Sequence, residues 1–142
     1  MARSILLPVD LADEKNWRSA LAEALAMLRA RAGVLHVVTV MPDFGMPLVG
    51  SYFRDEYERE ALQALGRALT DWVAANVPED IEVHPHILHG SIYDEILRAA
   101  DKLGADLIII GSHRPELKDY LLGPNAARVV RHARQSVYVV RD

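Results

Sequence analysis

Five short apolar runs separate the more polar stretches of the chain, and each has the length of a buried strand. They cover residues 5–9, 34–40, 81–88, 107–110 and 136–140. The first and fourth runs are apolar throughout, which is typical of strands buried on both faces. The third run alternates between apolar and polar residues. The pattern therefore predicts five strands.

Apolar residues recur at three- and four-residue spacing between these runs, which predicts four amphipathic helices. The predicted inward faces are Trp17, Leu21, Ala24, Leu25 and Leu28, then Leu62, Leu65, Leu69, Trp72 and Val73, then Ile92, Ile96, Leu97 and Ala100, and finally Ala126, Val129, Val130 and Ala133. Gly33 and Gly104 are interpreted as the stops of the first and third helices. Strands and helices then alternate from the first element to the last.

This alternation predicts an α/β fold in which helices cover both faces of a parallel five-stranded sheet. We expect residues 1–142 to form a single domain of three layers. In such sheets ligands bind beyond the carboxyl ends of the strands, where the strand order reverses. The loops that follow Val9, Val40, Leu88 and Ile110 are therefore the places to look for a site.

Asp10 ends the first strand, and two interpretations of it stay open. Its carboxylate faces a ligand or a ligand-bound cation, or it caps a turn before the first helix. Gly90 and Gly111 follow two other strands, where glycine either lets the backbone approach a ligand or makes a turn. Residues 41–51 hold two prolines and two glycines, which predicts a long loop that is either a lid or ordinary surface.

Residues 111–125 carry the most informative loop. It begins at Gly111, and a second glycine, Gly123, opens the last helix. A glycine-rich loop that enters a helix presents free N–H groups and the positive end of the helix dipole to a phosphate. Ser112 and Asn125 offer hydrogen bonds, and Arg114 offers charge.

Composition narrows the possible functions. The chain has 142 residues, a net charge of −4 and no cysteine. The absence of cysteine excludes disulfides, thiolate zinc sites and thiol catalysis. The lack of a basic excess argues against nucleic acid as the main partner. The N-terminus does not have the pattern of a signal peptide, and no apolar run has membrane-spanning length, so we expect a cytoplasmic protein.

Three stretches together make the chain recognisable. Residues 108–115 read Ile-Ile-Ile-Gly-Ser-His-Arg-Pro, residues 120–126 read Tyr-Leu-Leu-Gly-Pro-Asn-Ala, and residues 136–141 read Ser-Val-Tyr-Val-Val-Arg. With Ile-Leu-Leu-Pro-Val-Asp at residues 5–10, they resemble the universal stress protein family. The branch it resembles has a Gly-Ser-His-Arg-Pro and Leu-Leu-Gly-Ser-Asn-Ala pattern.

The resemblance implies a Rossmann-like fold of the adenine nucleotide alpha hydrolase type, with strand order 3-2-1-4-5. It also implies a homodimer formed partly through the last strand, Ser136–Val140. In members that bind ATP, adenine lies near the first two strands and the phosphates lie along the loop equivalent to residues 111–125. The candidate nucleotide-binding residues are Pro8, Val9, Asp10, Val37, Gly90, Ile110, Gly111, Ser112, His113, Arg114, Gly123, Pro124 and Asn125.

Two residues depart from the family's nucleotide motif. Arg114 stands where the motif has a glycine, and Pro124 stands where it has Ser or Thr. Proline suits the first turn of a helix but removes one N–H donor for phosphate. The guanidinium of Arg114 would compensate for that loss.

The six histidines and an arginine stripe have competing interpretations. His84 and His86 share one face of a strand, where they either ligate a metal or lie on an exposed or edge face. His36 is interpreted as a hydrogen-bonded core residue. Arg128, Arg131 and Arg134 recur every three residues, as a nucleic-acid stripe or, more commonly, a solvated helix face.

The residues thus favour a nucleotide-binding regulatory protein that takes ATP, with or without Mg²⁺, and acts on an unidentified protein partner. We expect bound ATP to order residues 111–125 and to change a partner surface. One alternative is a dimeric interaction module that has lost nucleotide binding. The other is a slow nucleotide hydrolase, although the sequence shows no nucleophile with an adjacent base.

Overall fold

A computed structural model of the chain describes residues 3–41, 51–112 and 124–141. The strands in these ranges are β1 (Arg3–Pro8), β2 (Gly33–Met41), β3 (Glu82–His89), β4 (Leu107–Gly111) and β5 (Ser136–Val140). The helices are α1 (Glu14–Ala30), α2 (Ser51–Asn76), α3 (Ile92–Lys102) and α4 (Pro124–His132). Strands and helices alternate along the chain, as the hydrophobic pattern predicts.

The five strands form one parallel sheet in the order β3-β2-β1-β4-β5. Ile5 of β1 lies opposite Leu35 of β2 on one side and Leu107 of β4 on the other. The order confirms the one that the family resemblance implies. It places β1 at the centre of the sheet and leaves β3 and β5 as the edges.

The core has two layers because successive side chains of a strand point to opposite faces. Ile5 and Leu7 pack under α1 and α2, whereas Leu6 packs under α3 and α4. All three side chains are fully buried. This double burial explains why the first run is apolar at every position.

Trp17 of α1 and Trp72 of α2 anchor the helices on the first face. Their rings meet edge to face with centroids 5.1 Å apart, and both side chains are buried. Such a contact adds about 0.5–1.5 kcal/mol to the burial of the two rings. The predicted packing role of both tryptophans is confirmed.

Several element boundaries differ from the hydrophobic runs. β1 extends back to Arg3 because its pairing with β2 starts there: Arg3 lies opposite Gly33, and the N–H of Arg3 donates to the carbonyl of Ala32 at 3.2 Å. Met41 belongs to β2 and Ser51 already belongs to α2, so the connection between these elements is shorter than predicted. Backbone hydrogen bonds, rather than apolar character, set these ends.

The two glycines interpreted as helix stops have different roles. Gly104 follows α3 with φ of +66°, the left-handed conformation expected after a helix. The interpretation of Gly33 was wrong, because α1 ends at Ala30 and Gly33 is the first residue of β2. A Cβ on Gly33 would overlap the carbonyl oxygen of Arg3, so close strand packing requires glycine there.

None of the helices in the described part of the chain is long and apolar enough to cross a membrane.

The two glycines Gly33 and Gly66 form a matched pair for a stability test. We expect Gly33→Ala to lower the free energy of unfolding by about 1–3 kcal/mol, the usual cost of overpacking. Gly66 lies within α2 with open space around its Cβ position, so Gly66→Ala should raise stability by about 0.5–1 kcal/mol. Urea unfolding at pH 7 measures both changes. A Gly33→Ala protein as stable as the wild type would contradict the close contact.

Candidate functional site

The strand order places a candidate site outside the carboxyl ends of β1 and β4. From β1 the chain continues to β2 and β3 on one side of the sheet, then crosses to β4 and β5 on the other. The connections that leave β1 and β4 therefore diverge to opposite faces, which opens a crevice between them. Asp10 follows β1, and Ser112 follows β4.

Most of the predicted nucleotide-binding residues lie at this edge of the sheet. Pro8, Val9 and Asp10 end or follow β1, and Ile110, Gly111 and Ser112 end or follow β4. Gly90 precedes α3, and Pro124 and Asn125 begin α4, both at helix starts that follow strand ends. His113, Arg114, Gly123 and the central part of the 41–51 loop lie outside the described residues.

Asp10 builds the turn that leads into α1. The N–H of Ala12 donates to Oδ1 of Asp10 at 3.0 Å, and the N–H of Asp13 donates to the carbonyl of Asp10 at 3.0 Å. The N–H of Asp10 itself donates to Oδ1 of Asn16 at 3.2 Å. Asp10 nevertheless remains exposed. The turn-capping interpretation therefore has direct support, and the side chain stays accessible to solvent.

The apolar residues assigned to adenine differ in how much surface they offer. Val9 keeps 5% of its surface exposed, Val37 keeps none, and Pro8 is also buried. The Val37 side chain packs in the core layer under α1 and α2. The Val37 side chain is therefore not accessible to a ligand at this edge of the sheet.

The end of β4 is held by its neighbours on two sides. A Cβ on Gly111 would overlap the carbonyl oxygen of Asn16, so glycine allows the first turn of α1 to approach β4. The N–H of Ser112 donates to the carbonyl of Val140 at 3.1 Å, and its hydroxyl donates to the same oxygen at 3.4 Å. These contacts fix the point from which the loop leaves the sheet.

Gly90 occupies the equivalent point after β3. Its N–H donates to the carbonyl of Met41 at 3.0 Å, and its φ of +139° is a conformation that side chains rarely adopt. A Cβ on Gly90 would lie 3.3 Å from Cγ of Glu95. The Gly90–Met41 hydrogen bond therefore links the ends of β2 and β3. The absence of a side chain on Gly90 leaves room for Glu95.

Glu95 is a candidate site residue that the motif reasoning missed. Its side chain is only 14% exposed, and its carboxylate pairs with Arg98 at 3.0 Å. The signal lay in the helix spacing, since Glu95 falls within the apolar stripe that Ile92 and Ala99 define. A carboxylate in that stripe lies close to the carboxyl end of β3.

Helix α4 starts at Pro124, where the sequence pattern predicts the last helix. Pro124 is the first helical residue and is exposed, and Asn125 is half-buried. Ala126 and Val129 anchor the helix in the core layer that it shares with α3. The helix therefore begins at the same edge of the sheet as the crevice.

The other candidate clusters have simpler structural explanations. Arg128, Arg131 and Arg134 are exposed, and the guanidinium of Arg128 lies 4.8 Å from the centre of the Tyr93 ring. These three arginines therefore form a solvated helix face.

No metal centre is formed by the His, Asp and Glu side chains of residues 3–41, 51–112 and 124–141, because no three of them gather around a common position.

Comparison with known proteins finds the same family by two routes, a family model and a similar sequence. The model of the universal stress protein family matches residues 1–141. Universal stress protein G of Shigella flexneri is 31% identical over 143 residues, which cover 99% of this chain and 100% of that protein.

Two solved structures share the fold. The structure of MJ0577 superposes with a TM-score of 0.80 at 23% identity and covers 100% of this chain and 97% of that one. A universal stress protein from Archaeoglobus fulgidus, solved in complex with dAMP, has a TM-score of 0.65 at 22% identity, with 96% of each chain covered. At these identities the superpositions show a common fold.

The two roles of Asp10 are separable by substitution. Asp10→Ala removes the acceptor of the Ala12 N–H and should lower the free energy of unfolding by about 0.5–2 kcal/mol. Asp10→Asn keeps an oxygen at the same position and should stay within about 0.5 kcal/mol of the wild type. Chemical denaturation at pH 7 distinguishes the variants. Equal stability of the alanine and asparagine proteins would show that the turn does not depend on this side chain.

Proposed function

Because the chain belongs to the universal stress protein family, we propose that it is a regulatory protein that binds ATP outside the carboxyl ends of β1 and β4. One observation carries the proposal. The reversal of strand order between β1 and β4 brings the turn at Asp10 and the end of β4 at Ser112 to one crevice. The Archaeoglobus protein of the same fold holds dAMP, which supports an adenine nucleotide as the ligand.

The residues around this crevice suit the parts of a nucleotide. In this proposal the base lies at the end of β1, near Pro8 and Val9, and the N-terminus of α4 gives N–H groups and a positive dipole end for phosphates. Asp10 presents a carboxylate, the ligand type that Mg²⁺ accepts from proteins when it accompanies phosphates. In this proposal Arg114 supplies the positive charge.

Pro124 defines how the phosphates would be held. As the first residue of α4 it has no N–H to donate, so the free donors at this helix end are those of Asn125 and Ala126. A hydroxyl at position 124 would have added a further bond. Binding therefore depends more on Arg114 here than in relatives with Ser or Thr at this position.

We also propose that two copies of the chain associate through β5. This strand pairs with β4 on one side, and among the described strands nothing pairs with its other edge. An open edge offers N–H and C=O groups to a symmetric partner. Helix α4 packs beside β5 and carries Val130, whose surface is 44% exposed.

Calorimetry with ATP, ADP and AMP, with and without Mg²⁺, tests nucleotide binding. We expect heat of binding and a rise in Tm, since a ligand at 100 times its Kd adds about 2.7 kcal/mol to stability. Gly123→Val should abolish the heat without lowering the Tm of the free protein, and Gly66→Ala serves as the glycine control. Asp10→Asn should weaken Mg²⁺–ATP more than ATP alone.

Two results would count against this site. If millimolar nucleotide gives no heat of binding and no shift in Tm, the alternative function, a dimeric interaction module that does not bind nucleotide, replaces the proposed one. Unchanged ATP affinity in Gly123→Val would mean that the phosphates lie elsewhere. A native mass spectrum of freshly purified protein, read for co-purified adenine nucleotide, checks the ligand independently.

Light scattering at micromolar concentration tests the dimer. Val130→Lys should raise the dimer Kd about tenfold, because burial of a valine contributes about 1.5 kcal/mol. Tyr57→Lys is the matched control, since Tyr57 is 48% exposed but lies on α2, away from β5. A wild-type monomer, or equal effects of the two variants, would contradict association through β5.

A further inference from the structure

Two histidines on neighbouring strands form a pair that the sequence pattern did not join. His36 lies on β2 and His86 on β3, and Nδ1 of His36 is 3.0 Å from Nε2 of His86. Both side chains are partly buried. We propose that this pair is an acid-sensitive latch, which holds the edge strand β3 to β2 and releases it when both rings are protonated.

The register explains why the two rings meet. His36 lies opposite His84, and Val38 lies opposite His86, so the bonded pair is diagonal across the two strands. The His84 ring stacks on His36 with centroids 5.5 Å apart, and Nε2 of His84 lies 2.8 Å from Oε2 of Glu82. Three imidazoles therefore share one face of the sheet, and the only described carboxylate beside them engages His84.

Proton chemistry accounts for this cluster better than metal binding does. The facing nitrogens of His36 and His86 satisfy one another through a single N–H···N bond. A metal site would need further ligands at the same point, and the described residues include no group of three His, Asp or Glu side chains that could hold a metal ion. An N–H···N bond, in turn, requires that one of the two nitrogens carries no proton.

The surroundings oppose a charge on either ring. Burial is the largest cause that lowers the pKa of His36, and the neighbouring His86 and His84 lower it further. The carboxylate of Glu82 acts in the opposite direction and has the smallest effect. The pKa of His86 is lowered mainly by burial and also by the neighbouring His84. A second proton on the pair would also set two N–H donors against each other. Both rings are therefore neutral at pH 7.

No other described element brings a countercharge to the pair. On β1 the residue opposite His36 is Leu6. Helix α3, which packs over β2 and β3, turns Ile96, Ala99 and Ala100 toward the sheet. Its charged residues Asp94, Arg98, Asp101 and Lys102 are exposed, and the partly buried carboxylate of Glu95 is paired with Arg98 at 3.0 Å. Protonation is therefore not compensated from the helix side.

The direction of the pH effect follows from the lowered pKa values. In the unfolded chain the pKa of histidine is about 6.5. Above this pH both states are unprotonated and the full stability is present. As the pH falls through 6.5 toward the lower folded values, the unfolded or opened state takes up more protons, so stability is lost.

The position of β3 makes the effect local. Among the described strands β3 pairs with β2 alone, so its release breaks one ladder and leaves β2, β1, β4 and β5 paired. Its carboxyl end continues to Gly90, whose N–H is bonded to Met41 of β2. Opening at low pH would therefore loosen the Gly90 end of the candidate site. The latch does not depend on whether a nucleotide binds there.

An NMR titration of the wild-type protein tests the pair directly. We expect the ring C–H signals of His36 and His86 to titrate with midpoints below pH 6.5 and to influence each other, as coupled groups do. Assignment comes from His36→Gln and His86→Gln. Midpoints at or above 6.5 for both rings would overturn the latch, whatever the stability of the variants.

Urea unfolding at pH 7.5 and pH 5.0 measures the consequence for folding. The wild-type folding equilibrium constant should fall by about 2- to 10-fold more than that of the double variant His36→Gln/His86→Gln, the range expected for loss of one hydrogen bond. His132→Gln is the matched control, because His132 is exposed at the end of α4. Its pH dependence should equal that of the wild type. Equal losses in the wild type and the double variant would overturn the proposal.

Hydrogen exchange at the same two pH values tests where the structure opens. After correction for intrinsic exchange, protection of β3 amides should fall about 2- to 10-fold further than protection of amides in the β4–β5 ladder. An equal loss of protection in both ladders would show global destabilisation and would overturn the local latch.

Discussion

Burial of β1 on both faces is the constraint on which the other elements depend. This strand pairs with β2 and β4, and its side chains enter both core layers. Helices must cover both faces to keep these side chains from water. The right-handed crossovers then place α1 and α2 on one face and α3 and α4 on the other. The crevice between the ends of β1 and β4 is a consequence of this central position.

The same packing governs the chemistry available at the crevice. Gly111 lets the first turn of α1 reach β4, and Asp10 holds the turn through which α1 begins. Residues of the proposed site therefore also have structural roles at this edge, and a backbone held by its neighbours presents N–H groups at defined positions. Pro124, the first residue of α4, has no N–H and so contributes no donor to that set.

The two edge strands of the sheet, β3 and β5, differ in the backbone N–H groups that they can offer to another strand. On β3, Pro85 has no N–H to offer, and the histidine cluster covers one face. On β5, all five residues, Ser136–Val140, retain their N–H groups. Association of copies is accordingly proposed at β5 and acid-induced release at β3. Each edge has its own physical character, although both belong to one continuous sheet.

The sequence by itself determined the order of elements, the two-sided burial and most of the residues at the crevice edge. Those properties depend on short-range hydrophobic periodicity and on local glycine and proline chemistry, which neighbouring residues carry. The tertiary structure alone decided that Gly33 serves strand packing, that Glu95 lies against Gly90 and that His36 bonds to His86. The His36–His86 contact joins residues fifty positions apart. It exists only once the register of β2 and β3 is set, and that register is a property of the assembled sheet rather than of either segment.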